Sequence, residues 1–417
     1  MTLLIISPDF ASHFAPLAVL GRAAALQGER VVVATGPALR PRVQAEGFEW
    51  RSLPLGPESN AGVATRNPGI DRFIEATTRG ALATIEYQAI QRERDLLWRP
   101  EWVAQTVEGL LAELDPSAVL VDHVSFGSTL AMYASGRDFV TLVPGHPSQL
   151  PVGDEQYGVP ATWPHSFRPD PDGLADLQRL ASQVGAAFTE RWNEALALVA
   201  PQRPPVADAY RVHGHRVLYN SIARHHDPER TLLLPTDHRF VGPLVRSETL
   251  PTGYESWHPS SAGRSHVFVA FGTFLSYRSD VLQRVASGLQ KANVRAAIAT
   301  GETPSDSLGP VPDDWIIAPV LPQVALLAEA DLAIHHGGNN STQEALAAGA
   351  RQIIMPFSTD QFANGADQER TATATTIMPN DFSADDIATE AERLLNQPPP
   401  QAIRPLTDAD LVMAVYD

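Results

Sequence analysis

The feature that most constrains the fold of this chain is an alternation of short apolar runs with alanine-rich helical segments, which occurs twice. In the first series the predicted strands are Leu3–Ser7, Arg30–Thr35, Ala118–Asp122, Asp138–Val143, Arg216–Ser221 and Arg239–Leu244. In the second series they are His266–Thr273, Ala296–Thr300, Trp315–Pro319, Leu332–His336 and Gln352–Phe357. Runs that are apolar throughout are typical of parallel strands buried on both faces under covering helices.

A polar segment with Ser, Pro and Gly, residues 246–264, separates the two series and is typical of a linker. We therefore predict an α/β fold of two doubly wound domains, residues 1–245 and 265–417, that face one another across a cleft. A length of 417 residues also exceeds what a single core usually supports. Because ligands of such sheets bind beyond the carboxyl ends of the strands, the site residues are expected in the turns from strand to helix.

The composition excludes several classes of function. A formal net charge of −17 argues against general binding to nucleic acids or anionic membranes. The absence of cysteine rules out disulfides, thiolate metal sites and cysteine nucleophiles. The sequence begins MTLLIISPDF, without a basic leader, and no apolar run approaches the roughly 18 residues of a membrane span. We expect a cytoplasmic protein, either a monomer or a homodimer.

Two aromatic insertions interrupt the first series. Residues 60–108 form a predicted helical insertion with Trp98 and Trp102, and residues 144–169 are rich in proline and contain Trp163. Insertions of this kind near strand ends commonly line ligand pockets. Packing on the surface of a large domain explains them equally well.

The most informative turn follows the predicted strand at residues 332–336 and has the sequence GGNNSTQEALAAG. Glycines let a ligand approach the backbone, and the N-terminus of a helix attracts phosphate groups. Ser341 and Glu344 also have the spacing of a capping box, so helix capping explains the same residues without a ligand. The turn matches neither a Walker loop nor a dinucleotide-binding motif. From these residues alone, both alternatives stay open.

Residues 320–368 as a whole resemble the signature region of the nucleotide-sugar-dependent glycosyltransferases of family 1. The shared pattern is a Pro-Gln pair before the strand, an H-x-G-x-N-S-x-x-E core across the turn and an Asp-Gln pair after the next strand. These positions are here Pro322–Gln323, His336, Gly338, Asn340, Ser341, Glu344 and Asp360–Gln361. The resemblance implies a GT-B architecture of two Rossmann-like domains, the first binding an acceptor and the second binding a nucleoside diphosphate sugar.

The resemblance also implies which residues bind the donor. They are Thr273, Gln323, His336, Gly338, Asn340, Ser341, Glu344, Asp360 and Gln361. His336 and the Asn340–Ser341 turn, with Thr273 from the facing loop, would hold the diphosphate. Glu344 would accept hydrogen bonds from the ribose hydroxyls, as a carboxylate with free lone pairs can.

The remaining donor residues have implied roles beyond the diphosphate. Gln323 lies where the family contacts the nucleoside, and the Asp360–Gln361 pair would read hydroxyls of the donor sugar. Val320 departs from the pattern, because many members have an aromatic residue there that stacks on the base. The sequence therefore does not decide between UDP and dTDP.

A general base is expected in the first domain, where the first strand-to-helix turn reads SPDFASHFAP. Pro16 suits the first turn of a helix predicted at about Ala15–Gln27, so His13 would project from a helix start. A neutral imidazole there can take the proton of an acceptor hydroxyl, although a loop histidine without a chemical role is the alternative. The family places its catalytic histidine in this H-x-x-P turn and an orienting aspartate where Asp122 lies. Asp122 would fix the imidazole tautomer, or would instead cap the next helix.

Several other polar groups have no counterpart in the family motifs. His123 and His146 follow strands of the first domain, and either is a candidate for contact with the acceptor. The histidines at 213, 215, 225 and 226 are expected on the surface or in loops. Two Asp-x-Asp motifs, Asp170–Asp172 and Asp408–Asp410, lie at turns or helix starts, where acidic residues are ordinary, so no metal site is predicted.

The C-terminal segment departs from the family. Pro398–Pro400 breaks any helix after Leu395, and little sequence follows. Members of the family usually end in longer helices that return to the N-terminal domain. We expect this return to be shortened or absent.

Together these features predict an inverting, metal-independent glycosyltransferase with no cofactor apart from its nucleoside diphosphate sugar co-substrate. The Ala- and Arg-rich composition suggests a high-GC bacterium, in which related enzymes decorate natural products. A small hydrophobic or polycyclic acceptor is therefore expected by analogy. The alternatives are a related GT-B enzyme such as a nucleotide-sugar epimerase, and a non-catalytic sugar-nucleotide-binding helper. The sequence identifies neither the acceptor, nor the sugar, nor the linkage.

Overall fold

The computed structural model describes residues 1–56, 68–254, 257–258 and 263–417, without the side chains of residues 93, 94, 273 and 274. The strands are β1 (Thr2–Ile6), β2 (Arg30–Thr35), β3 (Glu49–Ser52), β4 (Ala118–Asp122), β5 (Val140–Val143), β6 (Arg216–Tyr219), β7 (His238–Phe240), β8 (His266–Ala270), β9 (Arg295–Ala299), β10 (Ile316–Ala318), β11 (Leu332–His335), β12 (Arg351–Ile354) and β13 (Ala374–Thr376). The helices are α1 (Ala11–Leu26), α2 (Arg40–Ala45), α3 (Pro68–Arg79), α4 (Ala81–Leu96), α5 (Pro100–Leu114), α6 (Phe126–Ser135), α7 (Pro171–Val199), α8 (Pro228–Thr231), α9 (Gly272–Leu275), α10 (Ser279–Lys291), α11 (Gln323–Leu327), α12 (Asn339–Ala348), α13 (Asp360–Arg370), α14 (Ala384–Leu395) and α15 (Asp408–Tyr416).

The strands form two parallel sheets. The first has the order β3-β2-β1-β4-β5-β6-β7 and the second the order β10-β9-β8-β11-β12-β13. Each sheet reverses its strand order on either side of its first strand, so the switch points lie between β1 and β4 and between β8 and β11. The predicted α/β fold of two doubly wound domains is confirmed. Strands β3 and β13 were not predicted, because both are short edge strands without a continuous apolar run.

The continuous apolar runs of the central strands follow from burial on both faces. Leu3 and Ile5 of β1 pack in a cluster with α1, whereas Leu4 and Ile6 pack on the opposite face with α5, α6 and α7. Side chains alternate between the faces of a strand, so a strand covered on both sides needs an apolar residue at every position. Among the described residues, no helix has the length and apolarity that crossing a bilayer requires.

Helix α1 begins at Ala11, earlier than the predicted start at about Ala15. Pro16 therefore lies inside the helix instead of in its first turn. Because proline has no N–H, the carbonyl four residues earlier, that of Ser12, lacks its helical partner. His13 lies in the first turn of α1, at the switch point of the first sheet.

The C-terminal segment returns to the first domain, so of the two expected alternatives the return is short and not absent. Helix α15 is only nine residues long and packs against α1. Its residues Leu411, Ala414 and Val415 are buried in the cluster around Leu3 and Phe14. The sequence did not predict this helix, because it follows a proline run and because the apolar residues it packs against lie some 400 positions earlier in the chain. Residues 408–416 thus pack on the first domain, although they fall within the segment assigned to the second.

We predict that Leu411→Ala lowers the free energy of unfolding of the first domain by about 2–5 kcal/mol, because it leaves a cavity under α15. Met413→Ala in the same helix is the matched control, since Met413 is 52% exposed, and is expected to change stability by less than about 0.5 kcal/mol. Urea unfolding followed by circular dichroism measures both. Equal effects of the two substitutions would show that α15 is not docked.

Candidate active site

The first half of the candidate site is a histidine-aspartate pair at the switch point of the first sheet. Strands β1 and β4 are neighbours with Ile6 beside Val121, so the residues that follow them lie side by side. The Nδ1 atom of His13 is 2.9 Å from Oδ2 of Asp122. Asp122 is fully buried, and the side chain of His13 is 22% exposed. The two residues named from the sequence are therefore brought together.

Asp122 does not cap a helix, which was the alternative. Its Oδ1 atom accepts a hydrogen bond from the backbone N–H of Val124, 3.0 Å away, and α6 begins later with Ser125 as its N-cap. Both carboxylate oxygens are thus held, one by the turn and one by His13. An aspartate fixed in this way holds the imidazole with Nδ1–H toward the carboxylate, which leaves the Nε2 lone pair on the opposite side of the ring.

The charges around His13 favour proton uptake. Burial alone lowers the pKa of His13, but the negative charge of Asp122 and the hydrogen bond to it raise it, and the charge of Asp360 adds to this. The net result is a pKa above the ordinary value of 6.5. Asp360 belongs to the second domain, so both domains contribute to the basicity of this imidazole.

The second half of the site is the turn from β11 into α12. Helix α12 begins at Asn339, with Gly338 as N-cap and no side chain capping it. The capping-box alternative is therefore wrong: the helix starts before Ser341, so Ser341 lies inside its first turn and Glu344 lies beyond it. The first backbone N–H groups of α12 are left without a side-chain cap, which is the arrangement that attracts an anion.

Glycines around His336 make room for its ring. A Cβ atom added at Gly338 would lie 2.4 Å from Nε2 of His336, and one at Gly272 would lie 2.9 Å from Cε1. Burial lowers the pKa of His336 to about 3, so its imidazole is neutral. Its Nδ1 atom is buried and has no hydrogen-bond partner among the described residues. His336 therefore brings no positive charge to this turn.

The carboxylate of Glu344 does not cap α12 and is held instead by two side chains. One of its oxygens accepts a hydrogen bond from Nη1 of Arg246 at 2.9 Å, and the other accepts one from Nε2 of Gln323. The same amide of Gln323 also donates to Oγ of Ser341 at 3.2 Å. Burial raises the pKa of Glu344, and Arg246 and Gln323 offset only part of that rise. Sequence reasoning missed Arg246, because it lies in the linker and no motif contains it.

Asp360 and Gln361 form the start of α13. Oδ2 of Asp360 accepts hydrogen bonds from the backbone N–H of His146 at 3.2 Å and from Nε2 of Gln149 at 3.3 Å, so it faces the first domain. Oε1 of Gln361 accepts from the backbone N–H of Phe357 at 2.9 Å and thereby holds the preceding loop. Thr359, directly before them, has a φ of +37°, which is rare for a β-branched residue.

Asn340 joins the two halves of the site. Its Nδ2 donates to the Ser12 carbonyl at 2.7 Å, and this is the carbonyl that Pro16 leaves without its helical partner. Its Oδ1 accepts from Nδ2 of Asn220 in the first domain at 3.3 Å. Asn339 donates to the carbonyl of Asn220 at 2.6 Å. The helix starts that carry the base and the anion-binding turn are therefore in direct contact.

Two positions add less than was expected. The side chain of Thr273 lies outside the described residues, and only its backbone is placed, in α9 directly after β8. Val320 is 67% exposed and offers no aromatic face. The aromatic insertion at residues 144–169 packs against the second domain, since the ring of Trp163 lies 4.9 Å from that of Phe362.

The histidines after β6 are buried. His225 and His226 were expected on the surface or in loops; both lie in the loop region after β6, but their side chains are only 4% and 2% exposed. They pack against residues of α13, which are distant in sequence. His123 is also buried, with Nε2 2.8 Å from the carbonyl oxygen of Gln149, and burial lowers its pKa to about 4.

The two Asp-x-Asp motifs cap helices. Asp170 accepts a hydrogen bond from the backbone N–H of Gly173 at 2.8 Å, at the start of α7. Asp410 forms a capping box with Thr407 at the start of α15. Their predicted placement at turns or helix starts is confirmed, and helix capping accounts for the spacing.

Comparison with known proteins points to one class of relatives. Residues 286–408 match the family model described as the erythromycin biosynthesis protein CIII-like, C-terminal domain. A PGL/p-HBAD biosynthesis glycosyltransferase of Mycobacterium tuberculosis is 29% identical over 168 residues, which are 40% of this chain and 38% of that protein. The zeaxanthin glucosyltransferase of Pseudescherichia vulneris is 26% identical over 388 residues, 87% of this chain and 82% of that protein.

A solved structure shares the fold along the whole chain. The glycotransferase of kitacinnamycin superposes with a TM-score of 0.67 at 17% identity, over 100% of this chain and 93% of that one. The chain matches 38% of the length of the mycobacterial relative, so that protein's activity does not transfer by similarity alone. The fold, the family match and these similarities confirm the predicted resemblance: the chain has the GT-B fold and is similar to bacterial natural-product glycosyltransferases.

Proposed function

We propose that this protein is an inverting glycosyltransferase that moves a sugar from UDP or dTDP to a hydroxyl group of a small natural-product acceptor. The observation that carries the proposal is the His13–Asp122 pair, which lies 2.9 Å apart at the edge of one sheet and faces the uncapped start of α12 in the other domain. A base in one domain and an anion-binding turn in the other are the two parts that such a transfer needs.

The base acts first in the proposed mechanism. With Nδ1–H donated to Asp122, Nε2 of His13 accepts the proton of the acceptor hydroxyl as its oxygen attacks the anomeric carbon. The bond from that carbon to the diphosphate breaks as the new carbon–oxygen bond forms. Asp122 stabilises the imidazolium that results, because its charge already raises the pKa of His13. Asp122 is fully buried behind His13, so it is not placed to act as a nucleophile toward the sugar. A single displacement inverts the anomeric centre.

The second domain is proposed to stabilise the leaving group without a metal. The free N–H groups at the start of α12 would bind the diphosphate, with His336, Asn340 and Ser341 beside them. Gln323 and Glu344 would contact the nucleoside, and Asp360 and Gln361 the sugar. Arg246 joins this set, because its guanidinium holds the Glu344 carboxylate.

The acceptor class rests on the relatives. By its name, one similar protein transfers glucose to zeaxanthin, and another acts in PGL/p-HBAD biosynthesis. We propose an acceptor of this kind for this protein too. A cytoplasmic location and a monomeric or homodimeric state stay predictions from the sequence.

We predict that His13→Ala lowers kcat for transfer by at least about a hundredfold, because the acceptor hydroxyl loses its base. The dissociation constant of UDP or dTDP, measured calorimetrically without added metal, is expected to stay within about twofold of the wild-type value. His13 lies outside the turn from β11 into α12, which is proposed to bind the diphosphate. His215→Ala is the matched control, since His215 is exposed in the same domain. A proton NMR assay of the product reports the anomeric configuration.

Two results would contradict the proposal. Full transfer activity in the His13→Ala variant would show that His13 is not the base. Binding of neither nucleotide, or binding only with a divalent ion, would remove the proposed donor site.

We predict that Asp122→Asn moves the acidic limb of the pH profile of kcat/KM to lower pH. Asp122 raises the pKa of His13 and burial lowers it, so removal of the charge leaves the effect of burial. In the wild type, kcat/KM is expected to rise through a pKa above 6.5 as His13 loses its proton. The plateau of the variant is expected to fall at least about tenfold, because the imidazole loses its orienting partner.

The profile is measured between about pH 5 and pH 9, with Asp138→Asn as the control at an exposed aspartate of the same domain. An acidic limb that stays in place, or that moves to higher pH, contradicts the assigned pairing.

A further inference from the structure

A buried carboxylate of the second domain contacts two histidines of the first domain. These three residues are separate from the His13–Asp122 pair. Asp367 of α13 lies between His146, from the loop after β5, and His226, from the loop after β6. Their exposed fractions are 4%, 2% and 2%. None of the three residues has a role in the proposed chemistry. A buried charge is costly unless it is paired, so this cluster requires an explanation.

The hydrogen bonds fix the protonation of both rings. Nδ1 of His146 accepts from the backbone N–H of Ser148 at 3.1 Å, so Nε2 carries the proton and donates to Oδ2 of Asp367 at 3.0 Å. Nε2 of His226 accepts from Nη1 of Arg230 at 3.2 Å, so Nδ1 carries the proton and lies 3.4 Å from the same oxygen. A metal ion needs lone pairs on these two nitrogen atoms. The arrangement is therefore a hydrogen-bonded network instead of a metal site.

The charges around the network are balanced. The other oxygen of Asp367 accepts from Nη2 of Arg370 at 3.0 Å, and Arg230 pairs with Glu155 at 2.7 Å. Burial would raise the pKa of Asp367, but the hydrogen bonds from His146 and His226 outweigh it and hold that pKa far below its ordinary range. Burial lowers the pKa of His226. A carboxylate that accepts from both rings makes charge-assisted hydrogen bonds across the domain interface.

The same network reaches Asp360. Asp360 and Asp367 lie two turns apart on α13, so their side chains share one face of the helix. His146 binds both of them: its backbone N–H donates to Asp360 at 3.2 Å, and its ring donates to Asp367. The strained φ of Thr359 directly before Asp360 indicates that the start of α13 is held in place by its surroundings.

We propose that His146, His226 and Asp367 are positioning residues, which dock α13 on the first domain so that Asp360 is presented to the donor sugar beside His13. This inference rests on the proposed function, because it assigns Asp360 to the sugar. On this proposal, α11 and α12 bind the nucleotide. The placement of the sugar depends on contact between the domains.

The first test is a double-mutant cycle on the full-length protein. Asp367→Asn puts an amide donor among groups that already donate, and is expected to lower kcat at least about tenfold while the dissociation constant of UDP or dTDP changes by less than about twofold. In Asp360→Asn/Asp367→Asn, the loss is expected to be close to that of Asp360→Asn alone, because Asp367 acts through Asp360. Asp385→Asn, at an exposed aspartate in α14, is the control. Losses that multiply, or an unchanged kcat in Asp367→Asn, overturn the proposal.

The second test is a rescue at His226. Asn can place an N–H close to the position of Nδ1, so His226→Asn is expected to keep kcat within about threefold of the wild type, whereas His226→Ala is expected to behave like Asp367→Asn. Equal losses in the two variants contradict the assigned hydrogen bond. A residue that only filled space would not distinguish an amide donor from a methyl group in this way.

Hydrogen–deuterium exchange tests, without an activity assay, whether the network docks α13 on the first domain. In Asp367→Asn, peptides that cover residues 144–150 and 360–370 are expected to exchange faster, while those of α12 exchange at the wild-type rate. Unchanged exchange in both peptides overturns the proposal. If the wild type transfers no sugar from any donor, the proposed function fails, and the exchange result still shows whether the network docks α13.

Discussion

The hydrogen bond from Asn340 to the Ser12 carbonyl is the contact on which the rest of the proposed site depends. It exists because Pro16 cannot supply the N–H that would occupy this carbonyl inside α1. The bond links the first turn of α1, which carries His13, to the first turn of α12. A proline three residues after the histidine thus has a physical role that the sequence motif alone does not show: it frees an acceptor on the helix beside the base.

Features that depend on short stretches of sequence were predictable. The central strands are apolar at every position because helices cover both faces of each sheet, and this pattern gave the two domains. Asp122 ends β4, the turn at residues 336–341 follows β11, and His13 lies in the first turn of the helix after β1. All three are at the carboxyl edge of a parallel sheet, where site residues are expected. The pairing of His13 with Asp122 was implied by the resemblance to the family, and the structure brings the two residues together because β1 and β4 are neighbours.

Features that depend on partners distant in sequence were not predictable. Arg246 has no motif around it, and only the fold brings it to Glu344. His226 resembles a surface residue in its polar segment, yet it is buried against Asp367, 141 positions later. The helix at residues 408–416 is too short to stand out after a proline run, and its stability comes from apolar contacts with α1. In each case contacts between segments distant in sequence determine where the residue or helix lies, and the local sequence pattern does not show these contacts.

The return of α15 to the first domain means that the chain crosses between the domains twice, once through the linker and once after α14. Both crossings are fastened to α12: Arg246 binds Glu344, and the backbone N–H of Ile403 donates to the carbonyl of Leu346 at 3.0 Å. Both crossings are thus hydrogen-bonded to the same helix. A rotation of one domain against the other would therefore have to carry α12 along or break these two attachments.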